Sequence, residues 1–379
     1  MPRPIALDQP WLSVVGIGDD GLASLSPAAR AVVEAGEVLV GGPRQLAMVA
    51  HGEVAHDGAE RLPWRRPLEA TFDDLEARRG RRVVILASGD PMCFGVGESL
   101  ARRFAPDEMQ VLPAPSVFSL VCARLGWSRA EVECLSVHAR PPDLLRRHMS
   151  PGARLIVLSH DGETPNLIAA LLREQGYAPS QMWTFEHLGG SAERKVEGTA
   201  EAWAETSFAP LNTVAITCIP GRGAALWPCM PGLPDEVFEN DGMLTKREVR
   251  AATLARLMPM AGQCLWDVGA GSGAVAIEWL RALRRGTAVA IERDAERCGR
   301  IERNARRLGT PELVVAHGSA PAVLAGLPPP DAIFLGGGLS EPGLVERCWQ
   351  ALAPGGRLVA NAVTIEGERT LLDWRARWG

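Results

Sequence analysis

Short runs of apolar, largely branched residues recur along the chain, most of them closed by glycine, proline or a charged residue, and many are followed by a longer amphipathic stretch. Before residue 219 these runs predict strands at 12–17, 38–40, 82–86, 109–112, 132–136, 154–158, 181–186 and 213–219. Beyond 240 they predict strands at 264–268, 287–291, 313–315, 331–335 and 357–360. Helical periodicity covers 91–104, 166–175, 246–257, 274–283, 294–308 and 341–352. Short branched-apolar runs alternating with amphipathic helices predict an α/β class with mostly parallel sheets covered by helices.

The alternation stops between 219 and 240, where Ile219-Pro220-Gly221-Arg222-Gly223 and Met230-Pro231-Gly232-Leu233-Pro234 would interrupt either kind of element. Trp227, Met230, Leu233 and Phe238 predict that this connector packs down. The expected organisation is a domain at 1–219, a packed linker at 220–240 and a domain at 241–379. A split near 115, at Pro113-Ala114-Pro115-Ser116, divides the first domain into two α/β lobes.

Composition narrows the function classes. The 379 residues are 46% hydrophobic and 22% charged, enough apolar material for several cores. A net charge of -5 gives no reason to expect nucleic acid as a partner. The run at 11–17 is too short for a signal peptide and ends at glycine, and no charge-free stretch could span a bilayer. The expectation is a cytoplasmic, soluble protein with no membrane partner. None of the eight cysteines forms a C-x-x-C pair and the seven histidines lack metal-ligand spacing, so no metal is expected.

The sharpest chemical signal is Asp267-Val268-Gly269-Ala270-Gly271-Ser272-Gly273, a strand running into a glycine turn and then a helix. That arrangement offers backbone amides to a nucleotide-type cofactor at close approach. Glu292, nineteen residues after Gly273, ends the next strand and suits ribose hydroxyls. These residues do not choose the cofactor, because Gly269 to Ala274 also satisfies the dinucleotide pattern of a dehydrogenase. At the entrance to this domain Thr245 and Glu248 are placed for a capping box, which leaves Lys246, Arg247 and Arg250 available for substrate carboxylates. Gly336, Gly337 and Gly338 would keep side chains away from a bulky substrate, or simply form a turn. Nine arginines between 281 and 307 read mainly as a solvated, acid-paired helix face.

Asp267 followed by G-x-G-x-G resembles the first motif of class I S-adenosylmethionine-dependent methyltransferases. The resemblance implies a Rossmann-like domain whose 267–273 loop surrounds the methionine end of S-adenosylmethionine, with Glu292 at the ribose and Gly318, Ser319 and Ala320 around the adenine. Thr245 at the entrance joins this cofactor set, and Gly337 and Gly338 join the substrate set. No Asn/Asp-Pro-Pro-Tyr sequence follows 331–335, which favours carbon or oxygen methylation over nitrogen methylation.

Near the N-terminus, Val14-Val15-Gly16-Ile17-Gly18 and Ser88-Gly89-Asp90-Pro91-Met92-Cys93-Phe94-Gly95 resemble the tetrapyrrole methylase family. That family is bilobal, binds S-adenosylmethionine in the cleft, and methylates ring carbons. Gly16, Gly18, Gly89, Asp90 and Gly95 match its cofactor motifs. Asp19-Asp20 stands where Pro-Gly is common, a departure that loosens the assignment of that loop's contacts. The strand-end histidines His138 and His187 read equally well as site residues and as ordinary strand ends.

Both parts in this order, with Thr245-Lys246-Arg247-Glu248-Val249-Arg250 and Val359-Ala360-Asn361-Ala362-Val363-Thr364 between and after, resemble the fused corrin-pathway methyltransferases. The resemblance implies methylation of a precorrin at C5 and C15, loss of carbon dioxide from the C12 acetate, one S-adenosylmethionine site per domain, and a homo-oligomer. No catalytic acid or base follows from it. The alternatives left are an NAD-dependent dehydrogenase and a noncatalytic tetrapyrrole-binding protein.

Overall fold

A computed structural model describes residues 10–49, 58–203 and 207–378; the segment 1–9 with which the sequence begins lies outside them. The chain forms two compact units. The first comprises Met1–His138, Arg154–Leu167 and Gln181–Thr217, and the second Ala139–Ala153, Ile168–Ser180 and Cys218–Gly379.

The first unit holds two sheets. In chain order the elements of its first sheet are β1 (Leu12–Ile17), α1 (Pro27–Glu34), β2 (Val38–Gly41), α2 (Pro43–Met48), β3 (Glu60–Pro63), α3 (Glu69–Glu76), β4 (Val83–Ser88), α4 (Val96–Leu100) and β5 (Met109–Leu112). The strands run parallel in the order β3-β2-β4-β1-β5. β1 is buried at every position and β4 at all but Ser88, which explains their largely apolar sequences. After α5 (Val117–Leu125) come β6 (Val132–Ser136), β7 (Arg154–Leu158), α6 (Thr164–Glu174), β8 (Gln181–Glu186), β9 (Arg194–Thr199) and β10 (Asn212–Thr217). These five strands are ordered β6-β7-β10-β8-β9. Only β6 and β7 pair in parallel, so the expectation of mostly parallel sheets fails here.

Two further expectations fail for local reasons. The helix expected over 91–104 shrinks to α4, because residues 90–97 wrap around Pro91. Asp90 accepts the Met92 amide at 2.9 Å, Gly97 donates to the Pro91 carbonyl at 2.9 Å, and Phe94 adopts φ 54°. The unexpected strands β3 and β9 are sheet edges, each paired with one neighbour, and their polar sequences carry no buried-strand signature.

The second unit contains α7 (Arg247–Leu257), β11 (Cys264–Val268), α8 (Ala274–Ala282), β12 (Thr287–Glu292), α9 (Ala295–Arg307), β13 (Val314–His317), β14 (Ala332–Leu335), α10 (Leu344–Ala351), β15 (Arg357–Ala360) and α11 (Ile365–Trp378). Its sheet is parallel throughout, ordered β13-β12-β11-β14-β15, with an apolar core on each face. The connector packs into one of these cores through Leu233, Val237 and Phe238. The second unit's sheet order is Rossmann-like, and the first unit combines one parallel with one mixed sheet, so the chain is α/β throughout.

Candidate active sites

In the second unit Val268 lies opposite Ile291 on one side and Leu335 on the other. Three strands therefore release their following loops side by side. The sheet reverses its order at β11, and ligands of open parallel sheets bind in the crevice at such a point. A cavity of about 740 Å³ opens there. Its wall includes Thr245, Lys246, Asp267, Gly269, Gly271, Glu292, Gly318, Ser319, Ala320, Gly337 and Gly338, and also Arg293 and Asn361. Arg247, Arg250 and Gly273 lie outside that wall.

The glycine turn is left-handed at Gly269, Gly271 and Gly273, with φ of 70°, 59° and 76°. A Cβ on Gly269 would stand 3.0 Å from the Gly337 nitrogen, so the two loops meet backbone to backbone. Gly273 serves packing: a Cβ there would meet Ile301 of α9 at 2.8 Å. Glu292 fixes the same turn, accepting the Gly271 amide at 2.9 Å on one oxygen and the amides of Arg293 and Asp294 at 2.9 and 3.1 Å on the other. The oxygen that takes the single Gly271 amide keeps a lone pair for a hydroxyl.

Asp267 is 1% exposed, and its Oδ2 accepts the Ala276 amide at 3.0 Å. No cation pairs with it among the described residues. Burial, with a smaller push from Glu292, raises its carboxyl to about 7, against the pull of the Ala276 amide. A buried acid lacking a counter-charge beneath a left-handed glycine turn fits a cationic ligand group. The raised acid keeps a proton that the unfolded chain releases between its ordinary value and about 7. Its contribution to stability is therefore full in acid and is lost as pH rises through that window, by at most about 4 kcal/mol. A cationic ligand favours the carboxylate, so its binding should weaken by up to tenfold per pH unit below about 7 and level off above it. Titration calorimetry from pH 5.5 to 8.5 measures this; an equal slope in Asp267→Asn would assign the effect elsewhere.

The entrance segment departs from expectation. α7 begins after Lys246, whose side chain makes no cap bond, so Thr245 and Glu248 form no capping box. Arg250 is fully buried and is not available to substrate. Its Nε donates to Glu278 at 2.7 Å, one terminal nitrogen donates to Asp235 at 3.0 Å and to the Thr245 carbonyl, and the other reaches the Leu233 carbonyl. The guanidinium also lies 4.8 Å from the Phe238 ring centre. Glu278, 1% exposed, accepts the Gly232 and Leu233 amides at 2.6 and 3.0 Å. Arg250 thus fastens the connector to α8. Lys246 keeps an exposed ammonium 3.9 Å from Asp235 at the cavity wall.

Arg297 and Arg300 pair with Asp241, and Arg303 with Glu239, as expected for a charged helix face. Arg281 differs: it is buried and donates to the carbonyls of Trp227, Pro228 and Leu308. Sequence reasoning placed Arg293 within that face, yet it lines the cavity and its guanidinium has no partner among the described residues. Its position directly after Glu292 was the available signal.

In the first unit Ile17 lies opposite Ser88, which sets the loops after β1 and β4 side by side. Gly16 is hemmed in by backbone, since a Cβ would stand 2.0 Å from the Gly89 carbonyl oxygen and 2.5 Å from the Ala114 nitrogen. Gly89 is left-handed at φ 58° and donates to the Ile17 carbonyl at 3.0 Å. A Cβ on Gly18 would meet the Asp20 carboxylate at 2.5 Å. Gly95 packs on the Pro91 carbonyl, 2.5 Å from where its Cβ would be, so it shapes the Asp90 loop. Side-chain-free strand ends of this kind fit a ligand lying against backbone.

Residues 12–204 match the model of the tetrapyrrole (corrin/porphyrin) methylases, and residues 236–379 match that of the precorrin methyltransferase domain. A Sinorhizobium precorrin-6Y C(5,15)-methyltransferase [decarboxylating] is 48% identical over 377 residues, 99% of this chain and 90% of the relative. The chain belongs to the precorrin-6Y C(5,15)-methyltransferase family. As a member of the precorrin-6Y C(5,15)-methyltransferases it is an enzyme of methyl transfer that uses S-adenosylmethionine. Shorter relatives match in part. A Pyrobaculum calidifontis protein named for decarboxylating C(15) methylation of a cobalt-precorrin-6B is 38% identical over 153 residues, 39% of this chain and 78% of its own length. A Salmonella typhimurium cobalt-precorrin-7 C(5)-methyltransferase is 32% identical over 129 residues, 34% of this chain and 62% of its own.

No described helix is long and apolar enough to cross a membrane. Among the described residues no three His, Cys, Asp or Glu side chains are grouped to hold a metal ion. All eight cysteines are free, and burial pushes Cys134 and Cys218 up to about 12.

Proposed function

We propose that the chain transfers methyl groups to C5 and C15 of precorrin-6B and removes carbon dioxide from the C12 acetate, giving precorrin-8. The strand-end loops of the first unit serve C5; the cavity of the second serves C15 and the decarboxylation. Each holds its own S-adenosylmethionine, and the functional boundary falls within 220–240. The observation that carries this reading is a pair of glycine-lined strand ends, one per unit and each closed against a neighbouring backbone. Relatives named for one methylation alone support separable activities.

Bound S-adenosylmethionine supplies an electrophilic methyl group. In the second unit Asp267 takes its ammonium, Glu292 its ribose, and the backbone at Gly269 and Gly337 lets it lie against the sheet end. Gly318, Ser319 and Ala320 border the adenine. Lys246 and Arg293 meet substrate carboxylates and hold the macrocycle in line with the methyl group, which accounts for much of the acceleration. These cations belong on the carboxylates that stay: a tight contact to the departing acetate would oppose the loss of its charge. In the first unit Gly16, Gly18, Gly89 and the Asp90 loop shape the donor site.

Incubating the chain with methyl-labelled S-adenosylmethionine and precorrin-6B, then taking product mass and carbon-13 spectra, tests the assignment. Two labelled methyls with carbon dioxide lost are expected; a single methyl would refute the two-site reading. Retention of NAD without affinity for S-adenosylmethionine would instead favour a dehydrogenase. The protein is further proposed to be a cytoplasmic homo-oligomer with no nucleic-acid or membrane partner, which light scattering and fractionation check.

A further inference from the structure

We propose that His187 accepts the proton released from C5 when the first unit methylates the macrocycle, with Asp19 as its positioning partner. The inference rests on reading that unit as the C5 methyltransferase.

The pair explains the unusual Asp19-Asp20 sequence. Asp19, in the loop after β1, places Oδ2 3.0 Å from Nδ1 of His187, which directly follows β8. Its Oδ1 is paired with Arg44, whose other terminal nitrogen donates to Ser88 Oγ at 2.9 Å; Gln45 donates to the same hydroxyl at 2.7 Å. A carboxylate held by a guanidinium only accepts, so in the neutral imidazole Nδ1 carries the proton and Nε2 the lone pair. Nε2 has no hydrogen-bond partner among the described residues, and the His187 side chain is 35% exposed while Asp19 is 13% exposed.

The backbone is arranged for this contact. His187 adopts φ 47°, a left-handed conformation uncommon outside glycine. The turn is closed by the Gly190 amide on the His187 carbonyl at 2.9 Å and the His187 amide on Leu211 at 3.1 Å. A Cβ on Gly190 would stand 2.7 Å from Asp19 Oδ2, so glycine there admits the carboxylate. Gly189 donates to Glu193 at 2.8 Å, and Arg124 grips Glu193 at 2.7 and 2.9 Å. Glu186 beside the histidine is taken up by Arg194 and the Ala209 amide. These acids are engaged, which leaves the imidazole as the open base of the cluster.

The reaction needs such a base. As the C5–methyl bond forms, the sulfonium S–CH3 bond breaks and its electrons stay on sulfur as a thioether. C5 then bears both hydrogen and methyl, and the macrocycle carries the positive charge. Transfer of the C5 proton to Nε2 returns the C–H electron pair to the conjugated ring. The resulting imidazolium is stabilised by Asp19 and later loses its proton to solvent.

The test uses the full chain, precorrin-6B and carbon-13-methyl S-adenosylmethionine, resolving the C5 and C15 methyls by NMR. His187→Ala should slow C5 transfer by about a hundredfold or more and leave C15 transfer within about threefold. Added imidazole should restore part of the C5 rate, a rescue that a structural role would not show. Nitrogen-15 spectra of the unliganded chain should show the Nδ1-protonated tautomer of His187, lost in Asp19→Asn. Wild-type protein that methylates C5 alongside a His187→Ala variant doing so at near-wild-type rate overturns the inference alone, as does loss of C5 transfer without imidazole rescue. Wild-type protein that leaves C5 unmethylated overturns the functional reading itself.

Discussion

Gly16→Val is expected to abolish C5 methylation while leaving C15 methylation and carbon dioxide release intact. The β1 end has no room for a side chain, because the Gly89 carbonyl and the Ala114 amide already occupy the position of a Cβ. Admitting one forces two backbone segments apart, at the upper end of overpacking costs, about 3 kcal/mol. The same shift breaks the Gly89 and Ala114 backbone bonds that shape the loop. Gly269→Val is the mirror experiment: the residue has φ 70° and touches the Gly337 backbone, so C15 methylation and decarboxylation should both disappear. Mixing the two variants should regenerate the doubly methylated product, since each brings one working site. Failure of the mixture to complement would show that the sites cannot act independently, and two dead single variants would show that the damage spreads beyond one unit.

The second large effect concerns stability. Arg250→Met should lower the thermal transition of the second unit by about 10 °C or more, since breaking a buried ion pair costs about 3–5 kcal/mol. The variant leaves Glu278, 1% exposed, with its charge unanswered, and releases the carbonyls of Leu233 and Thr245. Arg250→Met with Glu278→Leu should recover part of the loss, because the second change removes the stranded charge. At low temperature, where the single variant stays folded, its KM for precorrin should match that of the wild type. A raised KM with an unchanged melting temperature would return Arg250 to the substrate site.

The contrast between Arg250 and Arg293 shows how far sequence reaches. Both are arginines in charged surroundings, and the sequence favoured Arg250 because it stands near the domain entrance. Burial decided the matter: Arg250 is at 0% exposure among acids and carbonyls, while Arg293 lines the cavity. Charge identity is written in one dimension, but whether a charge is used up depends on partners far away in the chain, such as Glu278 for Arg250. The expected helix at 91–104 failed for a local reason: hydrogen bonds at Met92 and Gly97 wrap the chain around Pro91 and outweigh its periodicity.

By itself the sequence determined the α/β class, the interior strands and the two glycine-rich strand ends. Fully buried strands must be apolar throughout, and tight backbone approach demands glycine; both constraints act residue by residue and leave a local mark. The tertiary structure alone decided the mixed pairing of the second sheet, the polar edge strands, and which charged groups remain open at the sites. It also joined Asp19 to His187 across 168 residues of chain. Strand direction and side-chain pairing are properties of neighbours in space, and no run of residues encodes them locally.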